Sequence, residues 1–222
     1  MATARRGSPV RRAGAPLIRD LIIVAAGGLT RELLAPLRAT GRYCPVGILD
    51  DDPDRAGVSL RGVPVLGPVE QIKAHPAPAV LVAIGRGRTR HEVVERLADL
   101  GVVEGRYATV IDPSVTVPRS CVIGPGSIIL AGTVLTADVT VGRHVVIMPN
   151  VTLTHDDVVE DFATLCAGAS LGGGVRIGSA AYLGMNAAVR EQRVVGAGAV
   201  IGMGAAVITD VPDDEVWAGV PA

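Results

Sequence analysis

The chain has 222 residues and a net charge of −1, with 21 basic and 22 acidic side chains interspersed. This balance disfavours nucleic acid and an anionic membrane surface as partners. Hydrophobic residues make up 49% of the chain and aromatic residues only 2%, which favours a tightly wound aliphatic core and leaves little surface on which bases could stack. The three cysteines are an odd number without metal-ligand spacing, so we expect a reducing cytoplasm and no metal.

The first 17 residues are rich in Arg, Ala, Gly and Pro, and we expect them to form a disordered tail. The first apolar run, residues 21–26, is too short for the core of an export signal and follows the acidic Asp20. No stretch is long and apolar enough for a transmembrane span. We therefore expect neither an export signal nor a membrane segment.

Residues 18–108 alternate between short apolar runs and helical segments, the pattern of a Rossmann-like α/β domain. Gly41 is the expected end of the first helix, because glycine readily adopts the left-handed conformation found there. The order of the segments predicts a small parallel sheet with helices on both faces. The predicted strands are 21–24, 46–49, 63–65 and 79–84, and the predicted helices are 31–39, 69–73 and 89–100.

Candidate ligand-binding residues follow three of these strands. They are Gly27 and Gly28 after the first strand, Asp50 and Asp51 after the second, and Gly85 after the fourth. Ligands of such sheets bind at the carboxyl ends of the strands, where glycines admit a phosphate and a carboxylate accepts a ribose hydroxyl. The full dinucleotide motif is absent, so a nucleotide-linked substrate is favoured over a dinucleotide cofactor. The alternative is a set of tight turns without a ligand.

From Ile111 to Val207, Leu, Ile or Val stands at every sixth residue, at seventeen positions in one frame. A six-residue period predicts a parallel β-helix. In the left-handed form, three hexads make one triangular coil, so residues 18 apart stack in columns. The second hexad position is often glycine, and we expect unusual backbone angles there. The fifth position is small and faces inward, except at Asp157 and Arg193, which we expect to be coupled or to reach solvent at a bulge.

His155 is the candidate catalytic base. It lies on the outward part of its hexad beside Asp156, and a carboxylate there would orient the ring and raise its basicity. Gly173 stacks over it one coil later and offers a backbone N–H suited to polarising a thioester carbonyl. The alternative is a surface histidine that forms a salt bridge with Asp156. The remaining histidines, His75, His91 and His144, are expected on the surface.

A second column lies on a different face of the prism. Ala167, Met185 and Met203 are spaced 18 apart and form a narrow apolar strip. Such a strip fits a pantetheine arm or packing between subunits, and the two interpretations are compatible.

With these residues in view, the chain resembles the bacterial sugar acyltransferase family that includes sialic-acid O-acetyltransferases and UDP-4-amino-sugar N-acetyltransferases. The resemblance spans residues 21–222. The motifs that carry it are Ala26-Gly27-Gly28, Leu49-Asp50-Asp51, Ala83-Ile84-Gly85, His155-Asp156 followed by Asp161-Phe162, the hexads, and the ending Ala218-Gly219-Val220-Pro221-Ala222.

The resemblance implies a role for each candidate residue. His155 would be the general base, tuned by Asp156. The acetyl thioester would lie near Gly173, with the coenzyme A arm along Met185 and Met203. The sugar nucleotide would be held by Gly27, Gly28, Asp50, Asp51 and Gly85. The resemblance also implies that the chain forms a trimer with active sites between subunits.

Four positions depart from the family pattern. Leu29 and Thr164 stand where histidine is frequent, Asp157 where a small residue is usual, and Met203 where glycine is frequent. These departures bear on the identity of the acceptor and on the geometry around coenzyme A. They leave the proposed base in place.

The sequence thus predicts a Rossmann-like α/β domain at residues 18–108 and an all-β, left-handed parallel β-helix at residues 109–222. The predicted function is acetyl-CoA-dependent acetylation of an amino or hydroxyl group on a sugar that is linked to a nucleotide. The enzyme is predicted to be a homotrimer in the cytoplasm. Three alternatives stay open: transfer to another small acceptor such as an amino acid, metal-dependent hydration that would need three histidines, and a non-catalytic trimeric scaffold or sensor.

Overall fold

The computed structural model describes residues 18–222, so the predicted tail at residues 1–17 lies outside the described residues. A five-stranded sheet comes first, in the order β3-β4-β2-β1-β5. Its pairs are parallel except β3 with β4, which is antiparallel. The strands are β1 (Arg19–Val24), β2 (Tyr43–Leu49), β3 (Ser59–Leu60), β4 (Val63–Gly67) and β5 (Ala79–Val82), and the helices are α1 (Gly28–Thr40) and α2 (Gly87–Asp99), with 3₁₀ turns at Pro53–Arg55, Val69–Ala74 and Glu104–Arg106.

Helices cover both faces of this sheet, as predicted. Alternate side chains of β1 point to opposite faces, so Leu21 packs with Leu33 of α1 while Ile22 packs with Leu97 of α2. Helix α1 ends at Gly41, whose φ of 60° is the left-handed conformation expected there. The strand β3 was not predicted, because two residues are too few to show a period. The segment 69–73, predicted as a short helix, forms a 3₁₀ helix.

Two-residue strands form the rest of the chain and stack into three flat faces of a prism. Each of them from β6 to β21 ends on one of the periodic Leu, Ile or Val residues, which confirms the β-helix; Val117 alone among those positions lies outside a strand. The strands are β6 (Val110–Ile111), β7 (Val122–Ile123), β8 (Ile128–Ile129), β9 (Val134–Leu135), β10 (Thr140–Val141), β11 (Val146–Ile147), β12 (Thr152–Leu153), β13 (Val158–Val159), β14 (Thr164–Leu165), β15 (Ser170–Leu171), β16 (Arg176–Ile177), β17 (Tyr182–Leu183), β18 (Ala188–Val189), β19 (Val194–Val195), β20 (Val200–Ile201), β21 (Ala206–Val207) and β22 (Val216–Trp217).

The three faces meet at three edges, and each edge is a column of turns. The base edge is named after the candidate base His155, the methionine edge after Met185 and Met203, and the docking edge after its contact with helix α2. The base edge joins the face of β12 to the face of β13 and includes residues 154–157 and 172–175. The methionine edge includes residues 184–187 and 202–205, and the docking edge includes residues 142–145, 160–163 and 178–181.

The glycines at the second hexad position have a different cause from the one predicted. The left-handed φ values fall at the fourth position, for example at His144 (53°) and Asp156 (63°). At the second position the next coil is too close for a side chain. A Cβ on Gly178 would lie 2.5 Å from the backbone nitrogen of Ala197. Glycine therefore permits tight stacking of the coils here rather than an unusual φ.

The two charged residues at the fifth position behave differently from each other. Asp157 is completely buried, and its carboxylate accepts hydrogen bonds from two backbone N–H groups, those of Thr154 and Val175. Arg193 reaches solvent and lies 3.4 Å from the carboxylate of Asp210. The two side chains are therefore not coupled to each other. Arg193 reaches solvent, which was the other predicted outcome, whereas Asp157 stays buried on two backbone N–H groups.

The β-helix and the first sheet share apolar packing. Ile128, Leu130 and Val146 point outward from the prism and are buried with Leu21 and Leu33 in one cluster. Within residues 18–222, no helix combines the length and the apolar character needed to cross a membrane.

Candidate active site

His155 lies at the base edge, in the turn between β12 and β13. The left-handed conformation of the next residue, Asp156, turns both side chains outward, and 68% of the His155 side-chain surface is exposed. The Nδ1 atom of His155 lies 2.8 Å from Oδ2 of Asp156. When the ring is neutral, Nδ1–H donates to this carboxylate, which leaves the lone pair on Nε2 free to accept a proton.

Asp156 makes the His155 ring more basic. The hydrogen bond from Nδ1 to Asp156 raises the pKa of His155, and the negative charges of Asp156 and Asp157 act in the same direction, while partial loss of solvent opposes the rise. Each of these carboxylates stabilises the protonated imidazolium. The ring is therefore suited to take a proton from a substrate near neutral pH.

Gly173 lies directly over the Nε2 side of this ring, as the spacing of 18 residues predicted. A Cβ placed on Gly173 would be 2.4 Å from Nε2 of His155. The two turns are joined because the backbone N–H of Gly174 donates to the carbonyl of His155 at 2.8 Å. The N–H of Gly173 itself has no acceptor in the described part of the chain, so it is free to bind a ligand oxygen.

The methionine column is stacked, and it lies at a different edge from His155, both as expected. The N–H of Gly204 donates to the carbonyl of Met185 at 2.8 Å, and that of Asn186 to the carbonyl of Ala167 at 3.0 Å. Met185 and Met203 are 50% and 74% exposed. Because the methionine edge and the base edge are different edges of one prism, a single chain does not bring this strip to His155.

One cleft lies beside the first strand of the sheet. Its volume is about 320 Å³, and Gly27, Gly28, Arg31 and Arg55 contribute to its lining. Asp50 stabilises the wall of this cleft, because its Oδ2 accepts a hydrogen bond from the backbone N–H of the lining residue Ala26 at 2.6 Å. The cleft thus combines glycines without side chains and two guanidinium groups, and the partly buried carboxylate of Asp50 supports its wall.

Asp51 points away from that cleft. Its carboxylate lies 2.6 Å from Nη1 of Arg96 and accepts from the backbone N–H of Val69 at 3.0 Å. The hydrogen bond with Arg96 lowers the pKa of Asp51. Asp50 and Asp51, adjacent in sequence, therefore face different surroundings in the structure.

Gly85 lines a second and larger cleft. This cleft has a volume of about 730 Å³ and lies between the start of α2 and the β-helix. Arg86, Arg88, Ala180 and Tyr182 contribute to its lining. The N–H of Ala83, two residues earlier, donates to the carbonyl of Val24 at 2.9 Å. The three predicted binding segments thus share one edge of the sheet, but Gly27 and Gly28 line one cleft and Gly85 lines the other.

Arg90 of α2 joins the two regions of the chain and was not among the predicted site residues. Its side chain is completely buried. It donates to the carbonyls of His144 at 2.6 Å, Phe162 at 2.6 Å and Ala163 at 3.0 Å in the β-helix. It also donates to the carbonyls of Ile84 and Gly85. Burial lowers the pKa of Arg90 to about 9, so it is charged at neutral pH.

Two of the departures from the family pattern lie within packed structure. The Oγ1 of Thr164 donates to the carbonyl of Gly85 at 2.7 Å and accepts from Arg90 at 3.1 Å. Leu29 is buried in the core between α1 and the sheet. Thr164 therefore supports the Gly85 segment, and Leu29 supports helix α1.

His144 is buried, which corrects the prediction that it lies on the surface. It lies on the docking edge with 3% exposure, stacked on Phe162 and in edge contact with Tyr107. Burial, together with the charge of Arg90, lowers the pKa of His144 to about 4, so the ring is neutral. His91 is exposed and also stacks on Phe162. Among residues 18–222 no three His, Cys, Asp or Glu side chains form a metal-binding group.

Two protein-family models match this chain. The family described as "PglD N-terminal domain" matches residues 20–97. The family described as "Bacterial transferase hexapeptide (six repeats)" matches residues 120–155. The first match covers most of the α/β sheet with α1 and much of α2, and the second covers the coils that lead to His155.

Several solved structures resemble the chain over most of its length. The acetyltransferase domain of PglB from Neisseria gonorrhoeae FA1090 is 31% identical and has a TM-score of 0.81, over 90% of this chain and 97% of that one. PerB from Caulobacter crescentus, in complex with CoA and GDP-perosamine, is 29% identical with a TM-score of 0.83, over 94% and 98%. WeeI from Acinetobacter baumannii AYE is 26% identical with a TM-score of 0.78, over 90% and 96%.

The α/β sheet, the left-handed β-helix and these similarities agree with the resemblance drawn from the motifs. The identity to the PglB domain extends through both regions of the chain. The chain therefore belongs to the bacterial sugar acetyltransferase family of hexapeptide-repeat acyltransferases.

Proposed function

We propose that this enzyme transfers the acetyl group of acetyl-CoA to an amino or hydroxyl group of a nucleotide-linked sugar, with His155 as general base and Asp156 as the carboxylate that orients it. The observation that carries the proposal is the arrangement at the base edge. The Nδ1 atom of His155 is fixed by Asp156 at 2.8 Å, and its Nε2 atom faces Gly173. A base with one nitrogen fixed and the other free is the arrangement that general-base catalysis needs.

The proposed reaction is a direct transfer. As the acceptor nitrogen or oxygen attacks the thioester carbonyl carbon, Nε2 of His155 takes the acceptor proton. The carbonyl oxygen becomes an oxyanion, which the free N–H of Gly173 stabilises. When the tetrahedral intermediate collapses, the carbon–sulfur bond breaks, and the thiolate of coenzyme A takes up the proton from His155.

We place the pantetheine arm of coenzyme A along Met185 and Met203, with Ala167 below them. The exposure of both methionines supports this placement. Because the methionine edge and the base edge are separate, the strip reaches His155 only when a second copy of the chain supplies it. The proposal therefore includes a homotrimer with active sites between subunits.

We place the sugar nucleotide at the α/β region, residues 18–108, and acyl transfer in the β-helix, residues 109–222. Gly27 and Gly28 would admit the diphosphate, and Arg31 and Arg55 of the same cleft offer charge-assisted donors to it. Each oxygen of Asp50 has a second lone pair for a ribose hydroxyl. Gly85 would contact the ligand at the second cleft. Asp51 belongs to the proposed binding segment as the neighbour of Asp50, and its own carboxylate pairs with Arg96.

Two relatives support the choice of substrates. The structure of the PglB acetyltransferase domain has been solved in complex with acetyl coenzyme A, and that of PerB in complex with CoA and GDP-perosamine. The free cysteines Cys44, Cys121 and Cys166 agree with a reducing cytoplasm as the site of action.

The proposal is tested by measuring coenzyme A release from acetyl-CoA over a panel of acceptors. The panel holds UDP-linked 4-amino-sugars, GDP-perosamine, CMP-sialic acid, the corresponding free sugars, and amino acids. We expect release with at least one nucleotide-linked sugar and a much slower rate with the matching free sugar, because the α/β region contributes binding only to the nucleotide.

The other outcomes have distinct meanings. Release with an amino acid but with no sugar would identify a different small acceptor. Binding of nucleotide sugars in a thermal-shift assay without release from acetyl-CoA for any acceptor would identify a scaffold or sensor. Either result would overturn the proposed reaction.

Gly173→Ala is expected to lower kcat about 10- to 100-fold. The new methyl group would meet the His155 ring at Nε2, and the exposed ring would turn aside from its productive position. The same freedom of the ring keeps the cost in stability small. Gly105→Ala is the matched control, because a Cβ there meets no atom within 4 Å. Unchanged kcat in Gly173→Ala would contradict the placement of the acyl carbonyl beside Gly173.

A further inference from the structure

Asp157 is a buried carboxylate that forms no ion pair with any Lys or Arg of residues 18–222. Its Oδ2 accepts from the backbone N–H of Thr154 at 2.7 Å, and its Oδ1 accepts from the backbone N–H of Val175 at 2.8 Å. Burying a carboxylate is costly even when it is hydrogen-bonded. Its presence in the aliphatic interior of the β-helix therefore calls for a reason beyond filling space.

Other turns of the prism manage without such a group. At the same hexad position, alanine closes the turn through its own backbone: the N–H of Ala181 donates to the carbonyl of Gly178 at 3.1 Å, and that of Ala169 to the carbonyl of Cys166 at 3.1 Å. At Val175 the acceptor is instead a side chain from the previous coil. The turn at Val145 is joined to the previous coil in the same way, through the hydroxyl of Ser127, but at the base edge the joining group is a carboxylate.

The two N–H groups that Asp157 binds belong to the two turns of the proposed active site. Thr154 precedes His155, and Val175 follows Gly172-Gly173-Gly174. Three consecutive glycines have more backbone freedom than any other sequence, so this turn needs an external constraint to hold one conformation. The carboxylate of Asp157, which lies one coil earlier, supplies that constraint through its hydrogen bond with Val175.

We propose that Asp157 is a positioning residue for acyl transfer: its carboxylate ties the turn of His155 to the turn of Gly173 and so fixes the base relative to the N–H that stabilises the oxyanion. This inference rests on the proposed function of His155 and Gly173. It adds a residue that touches neither substrate but sets the distance between the two groups that do.

The charge of Asp157 contributes as well. Burial raises its pKa to about 6, and the two backbone hydrogen bonds and the charge of His155 oppose that rise, while Asp156 adds to it. Above that pH the group is ionised and accepts both N–H groups. As pH falls through about 6, a proton occupies one oxygen, so the connection between the two turns weakens. His155 and Asp156 are the titratable groups that face it on this edge.

The test compares Asp157→Asn, Asp157→Ser and Asp157→Ala with the control Ser127→Ala. Ser127 lies in the docking-edge column, and its Oγ accepts from the backbone N–H of Val145, 18 residues later, at 3.0 Å. This bond joins two successive coils as Asp157 does, but it is remote from His155. Activity is measured with acetyl-CoA and the nucleotide sugar that gives the fastest release in the panel, and the His155 ring is titrated by NMR.

For Asp157→Asn we expect kcat to fall about tenfold with little change in the KM for acetyl-CoA, because an amide accepts one N–H but turns its own NH₂ group toward the other. The pKa of His155 should fall, since one negative charge is lost. Asp157→Ser introduces a hydroxyl that can accept a hydrogen bond, as the hydroxyl of Ser127 does. This variant should therefore retain more activity than Asp157→Ala. Ser127→Ala should lower the melting temperature without a change in kcat.

Unchanged kcat and an unchanged His155 titration in Asp157→Asn, with a melting temperature lowered as in Ser127→Ala, would overturn the inference and leave a purely structural role. The titration needs no acceptor, so it reports even on a variant with little turnover. If His155→Ala is inactive and the Asp157 variants are fully active, only this inference fails. If His155→Ala keeps its activity, the proposed function fails first.

Discussion

His155→Ala is expected to lower kcat about 10²- to 10⁴-fold, which is the usual contribution of a general base. Without the imidazole, the acceptor proton has no base within reach, and attack on the thioester must proceed through water. Folding should be little affected, because most of the His155 side chain is exposed and its hydrogen bond is to the equally exposed Asp156. The measurement is coenzyme A release with the best acceptor of the panel, at saturating acetyl-CoA.

The matched control is His75→Ala. His75 lies in the loop between the 3₁₀ turn at Val69–Ala74 and β5. Its backbone binds Ile72 and Arg106, and its imidazole makes no hydrogen bond within residues 18–222. Both variants lose one imidazole, but only one of them loses the proposed base. Turnover in His155→Ala within a factor of two of the wild-type enzyme, with His75→Ala as reference, would remove His155 from the mechanism.

The separation of the prism into three edges explains why this prediction follows from sequence. A strict period of six places every residue in a column, so the spacing of 18 alone brought Gly173 over His155 and Met203 over Met185. The period does not report backbone angles within a turn. For that reason the sequence predicts unusual backbone angles at the glycines of the second hexad position, whereas the structure has the left-handed residue at the fourth position, as at Asp156.

What sequence reasoning missed lies where the two regions of the chain meet. His144 and Arg90 acquire their environments from contacts between residues 54 positions apart, and no period connects a helix of the α/β region to an edge of the prism. A signal was present all the same. Arg90 precedes Val93, Val94 and Leu97 by three, four and seven residues, so it occupies the apolar face of α2. A charge on that face indicates a buried polar contact.

The orientation of Asp51 was also beyond the sequence. Two adjacent carboxylates after a strand look equivalent, yet Asp50 braces Ala26 while Asp51 binds Arg96. The difference arises because Asp51 lies within reach of α2, whose last turn carries Arg96. Tertiary packing decided which acid faces the cleft.

Arg90→Met is expected to lower the free energy of unfolding by about 3–5 kcal/mol, the range seen when one partner of a buried charged contact is removed. Methionine can fill much of the space, but it donates no hydrogen bond. The carbonyls of His144 and Phe162 would then be buried with no donor among residues 18–222. The carbonyl of Ala163 would keep only the backbone N–H of Val146. Each such unsatisfied acceptor costs about 1–3 kcal/mol.

The matched control is Arg88→Met on the same helix, measured with Arg90→Met by urea denaturation. Arg88 is largely exposed and pairs with Asp214 at the surface, so its loss should cost at most about 1 kcal/mol. Equal stability of the two variants would contradict the role of Arg90 as the connection between α2 and the docking edge.

Arg90→Met should also weaken binding of the nucleotide sugar. Arg90 and Thr164 both donate hydrogen bonds to the carbonyl of Gly85, and the loss of one of these bonds makes the Gly85 segment more mobile. The KM for the nucleotide sugar should therefore rise more than the KM for acetyl-CoA.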